Sequence, residues 1–532
     1  DVCCERVFAP DTDMAQVLRD KRLPLSTLES QRPLRDFDII GFSLAYELVY
    51  TNVLAVLDLA GIPLEAASRD KGFPLVIAGG PAVINPEPVH EFFDLFIIGE
   101  AEEAAVELMD SYRALKQRYR SGSLAKHDLL LELSRIEGVY VPSLYDVSYA
   151  SDGTVSSFAP NRPGVAATVK KRVFHGFGET SLPAEWLVPY IQIIHDRITV
   201  EVSRGCPNRC RFCQARSCYF PLRYRPAAKA IAAAKKYFRQ TGYDEVALSG
   251  LSVSDYPDLS ALMEQMVCEF KPYGVSVSLP SVKPKTFLGS MSGLIATVKK
   301  TGLTFAPEAA TDRLRSVIGK DFDEEEFFRM LGQVYRAGYQ HVKLYFMTGL
   351  PHETQEDIEA IAHFARRVSA ARKEAAGASA GVNVSINTVV PKPHTPFQWL
   401  RMDSLERMEQ TQRFLLSKVN SRKIRVSFHD RHMNFLEGVL SRGDRRLSAA
   451  LKRAYAKGCI FDAWSEHFNF NAWMDALRET GCDPGVYVRQ RGIDELLPWD
   501  FIDVGIPRSA LEREFRAIGG GCFPDRGKGE RQ

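Results

Sequence analysis

Three cysteines, Cys206, Cys210 and Cys213, lie within eight residues in the run Glu201-Val-Ser-Arg-Gly-Cys-Pro-Asn-Arg-Cys-Arg-Phe-Cys213, directly after a strand-like segment. A disulfide would use two of these thiols and strand the third, so the spacing reads as metal ligation. Four thiolates normally complete a [4Fe-4S] cluster. Three leave one iron open to a ligand that is not protein, and an open iron can bind and activate a small molecule. The same thiols with one distant residue would instead make a zinc site.

The triplet sits early in a long β/α series. Strands are expected at residues 197–203, 244–250, 276–281, 302–307, 341–350 and 381–390, with amphipathic helices between them, for instance over 226–242 and 354–374. Active-site groups of such a series belong at the C-terminal strand ends. A separate α/β unit precedes it. Asp36-Phe-Asp-Ile-Ile-Gly-Phe-Ser-Leu44, Pro74-Leu-Val-Ile-Ala-Gly-Gly80 and Phe93-Asp-Leu-Phe-Ile-Ile-Gly99 are continuous apolar runs closed by turn residues, as buried parallel strands are. Helical stretches follow at 47–59, around 87–92, and at 101–118, which together make a doubly wound sheet. Tyr140, Val141, Tyr145, Val147 and Tyr149 flank a Ser151-Asp-Gly153 turn and predict a hairpin, followed by a connector punctuated at Arg162-Pro-Gly164 and Ser181-Leu-Pro183. The divisions expected are 1–137, an α/β domain; 138–195, hairpin and linker; 196–420, a barrel; and 421–532, a helical C-terminal region whose polar tail frays.

Composition excludes several classes. The chain has 532 residues, too many for one ordinary core. The longest membrane candidate, 49–62, is interrupted by Thr51, Asn52, Asp58 and Gly61. A net charge of +2 argues against a broad nucleic-acid surface. Ten dispersed cysteines are no disulfide framework. A cytoplasmic protein is expected, with no secretory leader; the chain opens at Asp1 rather than Met.

Phe212, the aromatic residue before the last cysteine, is also typical of radical S-adenosylmethionine (radical SAM) enzymes, which this stretch resembles. The resemblance implies a partial (β/α)6 barrel, a [4Fe-4S] cluster on Cys206, Cys210 and Cys213, and SAM chelating the open iron. An electron from the cluster then cleaves SAM. The Leu248-Ser-Gly-Leu251 turn holds Gly250 where the family often meets the SAM amino group, although the usual acidic residue is missing. Thr304-Phe-Ala-Pro-Glu308 with Arg315 matches a run of radical SAM methylthiotransferases; it places Glu308 on the ribose hydroxyls and Arg315 on the SAM carboxylate. In Lys343-Leu-Tyr-Phe-Met-Thr-Gly-Leu-Pro351, strand alternation puts Lys343, Tyr345 and Met347 on the lumen face, and His352 replaces a usual glycine. Val390, in the loop Val389-Val-Pro-Lys-Pro-His394, is assigned to adenine; His394 has no partner at ligand spacing and reads as a packed histidine.

The first unit resembles the cobalamin-binding domains fused to many such enzymes. That likeness implicates Ser43, Gly79, Gly80 and Gly99 along the corrin and its tail, glycines allowing close backbone approach. The Asp-x-His-x-x-G motif that ligates cobalt is absent, and the domain is expected to lack its first strand. The function implied is a radical SAM transferase, with cobalamin-dependent methylation of an unactivated carbon as the foremost outcome. An electron donor of the flavodoxin or ferredoxin kind is its expected partner, with no membrane and no strong nucleic-acid signal. Two rivals stand beside it. Methylthio transfer would need three more N-terminal cysteines, where only Cys3 and Cys4 precede the triplet. A non-catalytic iron–sulfur sensor or electron carrier would keep the cluster without SAM chemistry.

Overall fold

The computed structural model describes residues 2–180, 183, 185–278 and 303–519. Ser181, Leu182, the last three positions of the expected strand 276–281, and the tail beyond Gly519 lie outside them. Two compact units are interleaved along the chain. One comprises Asp1–Phe174, Val390–Met402 and His432–Arg513; the other comprises His175–Val389, Asp403–Arg431 and Glu514–Gln532.

In the first unit, β1 (Ile39–Ser43), β2 (Leu75–Gly79) and β3 (Leu95–Ile97) are parallel neighbours, and β4 (Val139–Tyr140) closes the edge antiparallel to β3. Gly80 ends β2 at φ +107°, and a Cβ there would stand 2.6 Å from the Leu44 carbonyl oxygen, so only glycine lets the β1 exit cross the β2 exit. The helix Tyr50–Leu59 buries Val53 through Leu57 on consecutive positions. It can bury so many consecutive residues because the helix Leu447–Ala456 also packs against it. That packing accounts for the most hydrophobic run in the sequence, and no described helix is long and apolar enough to cross a membrane.

The predicted hairpin forms as β5 (Tyr145–Tyr149) and β6 (Val155–Pro160). The C-terminal region does not stand apart. Leu436, Leu451, Trp473 and Leu477 join the same core as Leu54 and Phe96.

The second unit holds the partial barrel. After β7 (Val169–Lys170), which belongs to the first unit, come β8 (Ile198–Glu201), β9 (Ser203–Arg204), β10 (Arg223–Tyr224), β11 (Glu245–Ser249) and β12 (Ser276–Ser278). β8, β11 and β12 run parallel in the order β12-β11-β8. A second parallel sheet follows in the order β13 (Leu303–Glu308), β14 (His341–Thr348), β15 (Gly381–Thr388), β16 (Ile424–Phe428). β16 corrects the sequence reading, which began the helical region at 421. Its Ile424-Arg-Val-Ser-Phe428 alternates apolar and polar with a period of two, a strand signal short enough to pass for a loop. Among the described residues the sheets do not close into a full barrel. On β14, Val342, Leu344 and Phe346 enter the core beneath the helices Glu324–Arg336 and Gln355–Ala376, leaving Lys343, Tyr345 and Met347 on the opposite face. Back in the first unit, β17 (Ile502–Asp503) pairs in parallel with β7, tying the far C-terminal segment to the hairpin region.

Candidate metal centre

The three cysteines lie on one loop with a closed neck. β9 and β10 pair antiparallel, Arg204 opposite Arg223, and Arg225 N–H donates to Val202 O at 2.8 Å. Residues 205–222 are therefore a loop issuing from the C-terminal end of β8. At the neck Gly205 has φ +88°, and a Cβ would lie 2.7 Å from Leu222 Cα and 2.8 Å from Pro221 O. Glycine is required where the two stems cross.

The middle of the loop is fastened to the helix Asp312–Ile318. Arg211 N–H donates to Ile318 O at 2.8 Å, and its Nη1 donates to Ser316 O at 2.8 Å and Val317 O at 2.7 Å. These are carbonyls that a helix C-terminus cannot satisfy itself. Farther along, Arg216 pairs with Glu514 at 3.0 Å, so the end of the helix Arg508–Ala517 also holds the loop.

Thus fastened, the loop brings Cys206 and Cys213 near enough to Cys210 to act on its thiol. Burial pushes Cys210 up to about 11, with Cys213 and Cys206 adding to the rise and Lys320 opposing it. Burial raises Cys213 too, partly offset by N–H groups of Arg216 and Ala215. Both shifts favour the protonated forms of Cys210 and Cys213, which would give up their protons on binding metal. Among the described residues no three Cys, His, Asp or Glu side chains are placed to hold a single ion. A cubane cluster asks for something different, since each thiolate takes its own iron and the donors stand farther apart. The donor set is thus three half-buried, mutually sensed thiols on one loop, which fits a three-thiolate cluster.

Glu308 ends β13 beside this loop. Its backbone is left-handed, φ +65°, at an irregularity in the β13–β14 register. Such a conformation in a non-glycine residue is a strain that surrounding structure must hold. Burial pushes its carboxyl up to about 7, against the pull of Lys320, whose Nζ lies 3.7 Å away. Gly250 ends β11 with no room for a side chain: a Cβ would meet Ser203 Oγ at 2.3 Å.

The other predicted residues are placed differently. Arg315 is buried, and its guanidinium donates to Ala309 O at 3.0 Å, Asp312 at 2.6 Å and Glu324 at 2.9 Å while lying over Phe322. It braces its own helix. Lys343 is exposed near the N-terminal start of β14, away from the strand end that carries the loops, with its ammonium 4.7 Å from the Tyr345 ring. Val390 is half-buried just past β15 and belongs by its contacts to the first unit. There, Ser43 is exposed at the tip of β1 with Gly79 beside it in register. Gly80 and Gly99 serve the chain's own backbone, Gly99 lying where a Cβ would come within 2.2 Å of Arg172 O. His352 keeps φ +59°, the conformation of the glycine it replaces, and its Nε2 meets Ile518 O at 2.6 Å. His394 is buried with Nε2 3.1 Å from Ile84 O, a packed histidine.

Residues 200–365 match the model of the radical SAM superfamily, and residues 1–142 match that of the N-terminal region of radical SAM proteins. The chain is a radical SAM protein. An uncharacterized protein of Methanocaldococcus jannaschii is 29% identical over 435 residues, 81% of this chain and 84% of its own. Among solved structures, the radical SAM methyltransferase TsrM of Kitasatospora setae, with cobalamin and a [4Fe-4S] cluster bound, is similar over 88% of this chain and 91% of that one, at 10% identity and a TM-score of 0.50. The cobalamin-dependent SAM radical enzyme OxsB, with aqua-cobalamin and SAM bound, covers 96% of this chain and 72% of its own at 12% identity and a TM-score of 0.45. The TsrM likeness is one of fold, and it runs through both units. Asn208, Arg211, Lys320 and Glu514 of this radical SAM protein were not singled out from sequence. The first two sit in the variable gaps of the cysteine motif, and the others become neighbours of the loop only through folding.

Proposed function

We propose that this radical SAM protein is an enzyme that carries a [4Fe-4S] cluster on Cys206, Cys210 and Cys213 and reductively cleaves S-adenosylmethionine. The observation that supports it most is the placement of three cysteines on one braced loop at the C-terminal end of the first barrel strand, with the strained Glu308 beside them. When bound, the cluster and SAM supply the one-electron chemistry that amino-acid side chains lack. The protein's own residues hold and orient. Arg211 and Glu514 fix the loop, Gly250 leaves backbone exposed for an ammonium group, and Glu308 offers a carboxylate to hydroxyls. Lys320 offsets negative charge at the thiolates.

Corrinoid binding by the first unit is part of the same reading, supported by the fold it shares with a cobalamin-bound methyltransferase. Ser43 and Gly79, at the strand tips of its parallel sheet, are the residues that would face a corrinoid. Methyl transfer to an unactivated carbon is the outcome this favours, with an electron donor of the flavodoxin or ferredoxin kind as partner. The test is anaerobic reconstitution with iron and sulfide, followed by dithionite and SAM. The reading expects about four irons per chain and formation of 5′-deoxyadenosine. A full, reducible cluster with no cleavage of SAM would favour a sensor or electron carrier. Hydroxocobalamin titration, read by absorbance, tests the corrinoid separately.

A further inference from the structure

Asn208 lies between the first and second cysteines, where the ligand spacing leaves the residue type free. Its side-chain Nδ2 donates to Cys206 Sγ at 3.2 Å and to Asp255 Oδ2 at 3.1 Å. Ser252 Oγ stands 3.4 Å from the same nitrogen and donates to Asp255 Oδ2 at 2.6 Å. Asp255 closes the short turn Val253–Asp255 that follows β11, and its backbone oxygen accepts from Tyr224 OH at 3.1 Å. The amide is therefore gripped from a second loop of the barrel.

That grip decides which way the amide faces. An ionised carboxylate only accepts, so the nitrogen and not the oxygen of Asn208 must turn toward Asp255. The charge-assisted bond to Asp255 is the stronger of the two and takes one hydrogen. The sulfur at 3.2 Å is nearer to the nitrogen than the remaining acceptor, Ser252 Oγ at 3.4 Å.

We propose that Asn208 is a positioning residue that hydrogen-bonds the Cys206 sulfur of the loaded cluster and raises its reduction potential. The inference rests on the cluster reading above. A donor aimed at a ligand sulfur withdraws electron density from the thiolate, which favours the reduced cluster; hydrogen bonds to the sulfurs are among the levers by which proteins set such potentials. Asp255 and Ser252 act one step farther out by fixing the amide.

The test is an EPR-monitored redox titration of the reconstituted full chain as wild type, Asn208→Leu and Asn208→Asp. Leucine removes the donor at similar volume. Aspartate removes it and adds negative charge near the sulfur. The midpoint potential is expected to fall in the order wild type, Asn208→Leu, Asn208→Asp, at unchanged iron content. A potential that does not move in Asn208→Leu, or that rises, overturns the proposal, because a merely structural asparagine would change cluster content and not potential. Wild-type protein labelled with ¹⁵N at asparagine side chains needs no variant. Pulsed EPR of its reduced cluster is expected to show a coupled ¹⁵N, and its absence overturns the proposal even if neither variant folds. Wild-type protein that assembles no cluster overturns the function reading and this one with it; a normal cluster with an unmoved potential overturns this one alone.

Discussion

At the scale of single residues, backbone geometry separates positions that look alike in the motif. Gly205 and Gly250 both flank the cysteine loop, yet only Gly205 combines a positive φ with backbone atoms nearer than 3 Å to any added Cβ. Gly205→Ala is expected to cost at least ~2 kcal/mol of loop stability and to lower iron content after reconstitution, with the fold of the first unit unchanged by circular dichroism. Glu308 makes the complementary case. Its carboxyl is raised from the ordinary range to about 7 by burial. The folded state then holds this proton more tightly than the unfolded chain does. Stability therefore falls as pH climbs from the ordinary carboxyl range through 7, and the loss is complete above it. Glu308→Gln removes the buried charge, so the cluster-free protein is expected to gain up to ~3 kcal/mol at pH 8 and almost nothing at pH 4. Formation of 5′-deoxyadenosine by the loaded variant should fall. A residue that costs stability and supports turnover is what a functional site is expected to contain.

At the scale of elements, the cysteine loop is held by parts that come from far along the chain. Arg211 covers the C-terminal carbonyls of the helix Asp312–Ile318, and Gly319 lets Arg209 O approach to within 2.7 Å of its would-be Cβ. Arg211→Met keeps the aliphatic stem and removes two donors. It is expected to cost about 1–2 kcal/mol and to speed loss of iron to a chelator several-fold, while leaving the three thiols titratable with a disulfide reagent. This is also where legibility from sequence ran out. The triplet, its place after a strand and five further parallel strands could be read from residue type and period. The partners of the loop could not, because Arg211 in a motif gap and Glu514 in an amphipathic helix look like ordinary solvated charges until folding brings them together. Arg315 shows the opposite relation. Its spacing from Glu308 fitted a ligand contact, but Asp312 and Glu324, three and nine residues away from it in sequence, take its donors first.

At the scale of the whole molecule, the chain builds its first unit from both ends. The helix Tyr50–Leu59 can bury most of its residues because residues beyond 432 cover it, and Asp462 bridges Thr51 and Trp473 within that buried layer. This arrangement also stores an acid sensitivity. Burial holds His90 down at about 3, with Arg445 and Lys452 adding to the depression, and burial holds His394 down at about 4, against its bond to Ile84 O. Both are below the ordinary histidine value of 6.5, so the unfolded chain takes up these protons first. Stability is complete above that value and is lost as pH falls toward 4 and then 3, at about 1.4 kcal/mol per pH unit for each histidine. Four of the five tryptophans, Trp399, Trp464, Trp473 and Trp499, belong to this unit, and three of them are fully buried. Tryptophan emission in urea thus follows it in preference to the barrel, which carries Trp186. The midpoint is expected to fall steeply between pH 6.5 and 5. His394→Gln, whose amide can still donate to Ile84 O, should recover about 2 kcal/mol of that loss at pH 5 and change nothing at pH 8. A variant whose acid limb runs parallel to wild type would show that His394 is protonated in the folded protein after all.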